Sequence, residues 1–286
     1  MESSLFEMLK EGKKVGALGS LNADYSFSVS SFPQPGSTVT ASCMVVRPGG
    51  KSSNQIVQAS LLGMDCQMFG QVGEDPRGGW LIEKLNEVGV NTQKIVKNGP
   101  ESGHAFIMVD DKGENEIVVS SGSNGSLGTK YVDEVKEDLS SLDALGFCLE
   151  VPVETVEKAL REVEGPIKVL NVSPIPSSPD SFLWAAAAKM LKKRSLPSVV
   201  VTLGSKGSVA LEDGKAWPIS PRPVTPKDTT GCGDSFAGSL LAALASGMSL
   251  PDACRLASFA SAYSALGDGA QSSYGTKEGI RKFAEE

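Results

Sequence analysis

The chain has 286 residues, 40% hydrophobic and 21% charged, with a formal charge of −7 and a pI near 5.0; this suits one large α/β domain or two small ones, with ample length for a buried core. The acidic balance argues against nucleic acid as a main partner, because no basic surplus is available to neutralise phosphates. A single histidine, His104, excludes any site with two histidine ligands and leaves one candidate for a Ser-His-Asp triad.

The opening MESSLFEMLKEGKK carries an acid early and no long apolar run, so neither a secretory signal nor a transmembrane helix is expected. Val15 to Leu18 reads as a buried first strand. Residues 24 to 48 alternate polar and apolar and contain turn residues, which predicts strands outside a main sheet. RPGGKSSNQ, residues 47 to 55, ends like a P-loop, but the required earlier glycine falls on Val45, a β-branched residue that disfavours the turn. A plainer reading has Gly49 and Gly50 turning the chain and Ser52 or Ser53 capping a helix through Ile56, Val57, Leu61 and Leu62 to Gly63. A lysine beside glycines at a helix start is still a good place to hold an oxygen-rich ligand.

Cys66 to Phe69 predicts another strand. Asp75 to Val88 predicts a helix with Trp80, Leu81, Leu85 and Val88 on one face and Gly89 ending it. Residues 103 to 120 predict two strands joined by the turn Asp110-Asp111-Lys112-Gly113, and His104 within them has the look of a structural residue. Ala144 to Cys148, Ile167 to Val172 and Ser198 to Leu203 predict further core strands, with helices over Val153 to Val163 and Pro179 to Lys193 between them. Short apolar strands separated by helices indicate a parallel sheet covered on both faces. The two outlying stretches would form an antiparallel lid over the sheet's C-terminal edge, where α/β proteins bind ligands. Ser235 to Ser246 predicts a helix ending at Gly247. Ser249 caps the next one, with Pro251 in its first turn. The five cysteines (Cys43, Cys66, Cys148, Cys232, Cys254) are odd in number and form no CxxC pair, as expected of reduced thiols in a cytoplasmic protein.

DTTGCGDSFAG, residues 228 to 238, carries the chemistry. Gly231 and Gly233 open the backbone just before a long helix. N–H groups there can converge on one spot that the helix dipole makes favourable for negative charge. Such an anion hole suits a transferring phosphoryl group, and Asp234 in the first helical turn, kept ionised by the dipole, can accept a hydroxyl proton. A plain glycine turn with Asp234 as an N-terminal helix carboxylate satisfies the same residues. A dinucleotide fingerprint does not, because its third glycine would fall on Phe236.

DTTGCGD resembles the DTxGAGD signature of the ribokinase-like (PfkB) sugar kinases. GSLNADYSFSVSSFPQPGSTVTAS is similar to that family's first strand and lid, PGGKSSNQ to its GGKGANQ sugar turn, FGQVGEDPRGG to the segment that follows, TLGSKG to its nucleotide turn, and GDGAQSS to its closing loop. The motifs occur in order over residues 13 to 284. The resemblance implies a single domain, residues 1 to 286, with a three-layer ribokinase-like fold: a mainly parallel central sheet, helices on both faces and a small antiparallel β lid. It implies an ATP-dependent sugar kinase, acting on D-ribose. Asn22, Asp24, Gly50, Lys51, Asn54 and Glu150 would bind the sugar; a carboxylate suits it, since it accepts two hydroxyls in a planar fork. Asp234 would be the base and Gly231, Cys232 and Gly233 the anion hole. Thr202, Gly204, Ser205, Gly207, Gly233 and Ser258 would shape the site for ATP with its Mg2+. Asp228, Thr230, Ser264, Gly267, Gly269 and Ser273 match the family's potassium site. A homodimer paired through the lid is implied as well.

Three departures stand out. Cys232 replaces the alanine of GAGD, and Ser52-Ser53 replace Gly-Ala; both leave the backbone donors in place. The third is larger. Between Asn171 and the TLG turn the family has a strand ending in PNxxE, whose Asn and Glu order the magnesium. Here that motif is missing, and the chain is short by about 15–25 residues, the size of a strand and its loop. A sheet lacking that strand would show a gap or close up. Two alternatives follow: a sugar- or nucleotide-binding protein on the kinase fold that no longer turns over, or a PfkB kinase for another pentose, hexose or nucleoside.

Overall fold

The computed structural model describes residues 2–111, 114–174 and 198–286. Its centre is a five-stranded parallel sheet in the order β5-β4-β1-β8-β9, formed by β1 (Lys14–Leu18), β4 (Asp65–Val72), β5 (Asn91–Lys97), β8 (Ala144–Phe147) and β9 (Ile167–Leu170). Alternation along these strands divides the core between two faces. Val15 and Ala17 of β1 and Met68 of β4 pack into the larger cluster, together with α1 (Ser4–Glu7), α2 (Lys51–Leu61), α3 (Pro76–Glu87), α6 (Cys232–Ala245), α7 (Leu250–Ser264) and α8 (Lys277–Glu285). Leu18, Phe69, Leu145 and Phe147 point the other way, against α4 (Thr129–Ser140) and α5 (Val153–Glu162). Both faces are covered, so the strands read as continuous apolar runs in the sequence.

Local signals placed most of these elements. Asp75 caps α3 by accepting the Gly78 N–H at 2.8 Å, and Ser249 caps α7 with Pro251 at its start. The helix after the lysine is formed, but neither Ser52 nor Ser53 caps it. Its N-cap is Gly50, with φ +91, and both serines lie buried inside the first turn. A Cβ at Gly50 would lie 2.8 Å from the Asn22 nitrogen and the Ser20 carbonyl oxygen, so backbone crowding as well as the left-handed φ requires glycine there. The helix over Pro179 to Lys193 falls outside the described residues, as does part of the 110–113 turn.

The lid is a four-stranded sheet, β3-β2-β6-β7, from β2 (Asn22–Ser28), β3 (Cys43–Gly49), β6 (Gly103–Val109) and β7 (Asn115–Ser120). The two predicted antiparallel pairs form, β2 with β3 and β6 with β7, but they are joined by a parallel pairing of β2 with β6. Arg77 braces the lid from α3: its Nε donates to the Tyr25 hydroxyl at 2.9 Å. His104 lies in an aromatic row with Tyr25 (5.7 Å between centroids) and Phe106 (6.2 Å), in keeping with a structural role.

One expected core strand sits elsewhere. β10 (Ser198–Thr202) does not join the parallel sheet; it pairs antiparallel with β11 (Ser208–Glu212), which pairs with β12 (Lys215–Ile219). Val200 packs inward, whereas Val199 and Val201 are 38% and 44% exposed. Among the described residues no strand bridges β9 and β10. The chain between β9 and β10, residues 175–197, lies outside the described residues, and so does the place where the PNxxE strand was expected to leave a gap or let the sheet close up.

Helices α2 and α6 cross closely beside the site. A methyl at Gly238 would lie 2.2 Å from the Gln55 carbonyl oxygen, which is backbone and cannot step aside. Gly238→Ala is therefore expected to cost about 1–3 kcal/mol through overpacking. Chemical denaturation measures this, and an unchanged midpoint would contradict the close approach.

Candidate functional site

The C-terminal ends of β1 and β8, the start of α2 and the start of α6 meet at one edge of the parallel sheet, beneath the lid. Ser20 follows β1; its hydroxyl donates to Glu150 Oε2 at 2.5 Å, and the Lys51 N–H donates to the same oxygen at 3.0 Å. Asn54, one turn into α2, donates its Nδ2 to Asp234 Oδ2 at 2.9 Å, and Gln55 Nε2 lies 3.5 Å from Oδ1. The tertiary fold thus joins Asn22, Asp24, Gly50, Lys51, Asn54, Glu150 and Asp234, drawn from four separate stretches of chain.

Three carboxylates share this space with one ammonium. Burial raises the Asp24 pKa to about 7, and the charges of Glu150 and Asp234 add to the rise while Lys51 opposes it. Asp24 Oδ1 is buried without a hydrogen-bond partner. Burial also raises the pKa of Asp234; Lys51 and the Asn54 amide partly offset this. The helix dipole was expected to hold Asp234 ionised, but removal from water dominates, because the 7% exposed side chain has lost most of its hydration. Lys51 responds in the opposite sense: burial disfavours its charge, yet Asp234, Glu150 and Asp24 outweigh burial and hold its pKa above the usual value.

The α6 start has the left-handed N-cap the glycines suggested. Gly231 has φ +75, and a Cβ there would lie 2.5 Å from that of Ala270, so only glycine fits. One expected donor is differently used: the Cys232 N–H turns back to the Thr229 carbonyl at 3.2 Å. Among the described residues the Gly233 and Asp234 N–H groups have no acceptor, and the space beside Gly233 is open for 4 Å. Of the three expected donors, the Gly231 N–H is likewise without an acceptor among the described residues, so Gly231 and Gly233 stay open and the Asp234 N–H stands in for that of Cys232.

The residues that match the family's potassium site by sequence are also brought near one another. Asp228 accepts the Thr230 N–H on one oxygen and the Gly269 N–H on the other, both at 2.8 Å, which ties the 228–231 turn to the closing loop. Ser273 lies against Gly267, and the Ser264 hydroxyl reaches Cys232 Sγ at 3.5 Å. Carbonyl and hydroxyl oxygens around a single carboxylate fit a hard monovalent cation. The described residues hold no cluster of three or more His, Cys, Asp or Glu side chains that could hold a metal ion. Thr202, Gly204, Ser205 and Gly207 form the exposed turn between β10 and β11, and Ser258 lies on α7 with its hydroxyl bonded to the Cys254 carbonyl. None of these five bonds to the acidic cluster among the described residues.

Several residues of the site had no assigned role. Asn124, in the turn Gly122–Ser126, donates to Asn22 Oδ1 at 2.8 Å and bonds both backbone groups of Leu21. Nothing in its neighbourhood SSGSNGSLG signals this. Gln55 and Gln271 stand inside the quoted motifs; Gln271 Nε2 donates to Ser53 Oγ and Asn54 Oδ1, both at 3.0 Å.

A model of the pfkB family carbohydrate kinases matches residues 13–172 and 179–277. The ribokinase of Haemophilus influenzae is 31% identical, aligned over 96% of this chain and 99% of that protein. The ribokinase of Schizosaccharomyces pombe is 30% identical, over 90% and 93%. Among solved structures, ribokinase from Thermotoga maritima gives a TM-score of 0.85 at 28% identity, covering 96% of this chain and all of that one. Arabidopsis thaliana ribokinase, complexed with ribose and ATP, gives 0.82 at 26% identity, covering 97% and 100%. The mainly parallel sheet with helices on both faces and a lid is the fold of these neighbours. On the family match and the near-full-length identity, the chain belongs to the pfkB family of carbohydrate kinases.

Proposed function

We propose that this sugar kinase transfers the γ-phosphoryl group of ATP to the primary 5-hydroxyl of D-ribose, giving ribose 5-phosphate and ADP. The observation that carries this reading is Asp234: a buried carboxylate beside two open N–H groups at a helix start, at the edge of a shell of Asn22, Asp24, Lys51, Asn54 and Glu150. The ribose and ATP named for the Arabidopsis neighbour agree with it. Asp24 and Glu150 accept sugar hydroxyls. Asp234 takes the proton of the attacking hydroxyl, whose oxygen forms the new P–O bond as the bond to ADP breaks. Gly231, Gly233 and the Asp234 N–H face the charge that develops. Mg2+ travels with ATP and neutralises phosphate charge, and K+ is assigned to the loop of Asp228, Thr230, Ser264, Gly267, Gly269 and Ser273. Thr202, Gly204, Ser205, Gly207 and Ser258 are assigned to the nucleotide.

The protein is proposed to work in the cytoplasm as one kinase domain per subunit. Two subunits would pair through the lid, whose Met44, Ile117, Val118 and Val119 are all more than half exposed. ADP release from ATP and magnesium with D-ribose, with and without potassium, tests the reaction. Ribose-dependent release supports it. The PNxxE motif missing from the sequence favours a second reading, a binder without turnover. Ribose-induced thermal stabilisation with no ADP from any sugar of a panel would establish that reading instead.

A further inference from the structure

Arg47 is unused in the mechanism above. It stands on β3 directly opposite Asp24 of β2, so the two side chains leave the same face of the lid, the face over the acidic shell. The side chain reaches past the shell to the closing loop. A methyl at Gly269 would lie 3.0 Å from Arg47 Cδ and 3.1 Å from its Nε. Gly269 donates to Asp228, and the next residue, Ala270, packs under Gly231. Arg47 therefore spans from the lid to the flank of the α6 start.

Arg47 is half-buried and, among the described residues, its guanidinium forms no hydrogen bond or ion pair. Asp228 is near enough to feel its charge, and each Asp228 oxygen accepts a backbone N–H group, but no hydrogen bond joins the two side chains. A planar fork of five donors is thus held beside the closing loop with its hydrogen-bonding capacity unused among the described residues. The site also needs positive charge. Asp24, Glu150 and Asp234 surround a single Lys51.

We infer that Arg47 binds the terminal phosphate of the bound nucleotide from the lid side, facing the open N–H groups of the α6 start. The inference deepens the kinase reading and rests on it for the identity of the nucleotide. Because Arg47 rides on the lid, its charge arrives only when the lid lies over the site.

Arg47→Gln and Arg47→Lys test this against the full-length protein. The probes are ADP and the β,γ-imido analogue of ATP, titrated by calorimetry, with ADP release and the D-ribose-induced melting shift measured alongside. The wild type is expected to prefer the analogue over ADP. In Arg47→Gln that preference is expected to fall roughly 10-fold or more, with kcat down about 100–1,000-fold, while ADP affinity and the ribose shift stay at wild-type levels and report an intact fold. Arg47→Lys should recover part of the loss, since a point charge replaces the fork. An unchanged preference and kcat in Arg47→Gln would overturn the inference. So would a wild type with no preference for the analogue, or a variant that loses the ribose shift instead, which would place Arg47 on the sugar. The binding ratio needs no turnover. A wild type that prefers the analogue but releases no ADP would sink the kinase reading and leave the Arg47 contact standing.

Discussion

Asp234→Asn is expected to lower kcat by about 10³-fold or more, the scale of a lost general base, with no loss of thermal stability. Asparagine keeps the shape and can still accept the Asn54 amide that Asp234 accepts at 2.9 Å, but it cannot take a proton from the sugar hydroxyl. Stability should move the other way, because burial raises the Asp234 pKa. Between its ordinary value and the raised one, the folded state binds more proton than the unfolded state. The stabilisation is complete below the ordinary carboxylate range and is lost as pH rises through the folded pKa. Above that pH the wild type carries an unfavourable buried charge that the asparagine variant lacks. Catalysis requires that same charged form, so kcat/KM should rise with pH through the raised pKa while stability falls. A pH profile of ADP release alongside melting curves measures both, and a variant that keeps kcat within tenfold of wild type would remove Asp234 from the role of base.

Asp24→Asn is expected to weaken D-ribose binding by about 100-fold, because buried groups built to pair with substrate hydroxyls discriminate strongly when the match is lost. The wild-type carboxylate has a buried oxygen without a partner, and a pKa of about 7 driven first by burial and then by Glu150 and Asp234. Sugar hydroxyls would supply the missing hydrogen bonds to the charged form. Ribose binding near pH 7 should therefore release a proton, read by calorimetry in buffers of different ionisation enthalpy. Without sugar, the raised pKa stabilises the folded state fully below about pH 4, and this is lost as pH rises through about 7, a change on the order of 4 kcal/mol. The asparagine variant should flatten that slope and be the more stable protein at pH 8. If it bound ribose as tightly as the wild type, Asp24 would not belong to the sugar shell.

Elements specified by neighbouring residues were legible in the chain. β1 is a short apolar run, α3 announces itself through Asp75 and the spacing of Leu81 and Leu85, and α7 through Ser249 and Pro251. The glycines around Asp234 marked the α6 start because a left-handed cap is a local requirement. The ordered motifs carried the family as well, since each is a short contiguous stretch.

What depended on distant partners was not legible. The parallel pairing of β2 with β6 joins strands some eighty residues apart, and two antiparallel hairpins are all that local alternation can announce. Val199 and Val201 read as core, yet in β10, which pairs with β11, they point to the more exposed face while Val200 packs inward. Ser52 looked like a cap until the crowding of Gly50 against Ser20 and Asn22 decided the matter. Asn124 holds Asn22, and Arg47 overhangs Gly269, across more than a hundred and two hundred residues respectively. Periodicity, caps and glycine turns act over a few residues, so the sequence alone determined β1, the starts of α3, α6 and α7 and the chemistry-bearing loops. The charge balance around Asp234, the raised pKa of Asp24 and the reach of Arg47 come from burial and juxtaposition. Those exist only once the lid, the sheet edge and the α6 start have packed together.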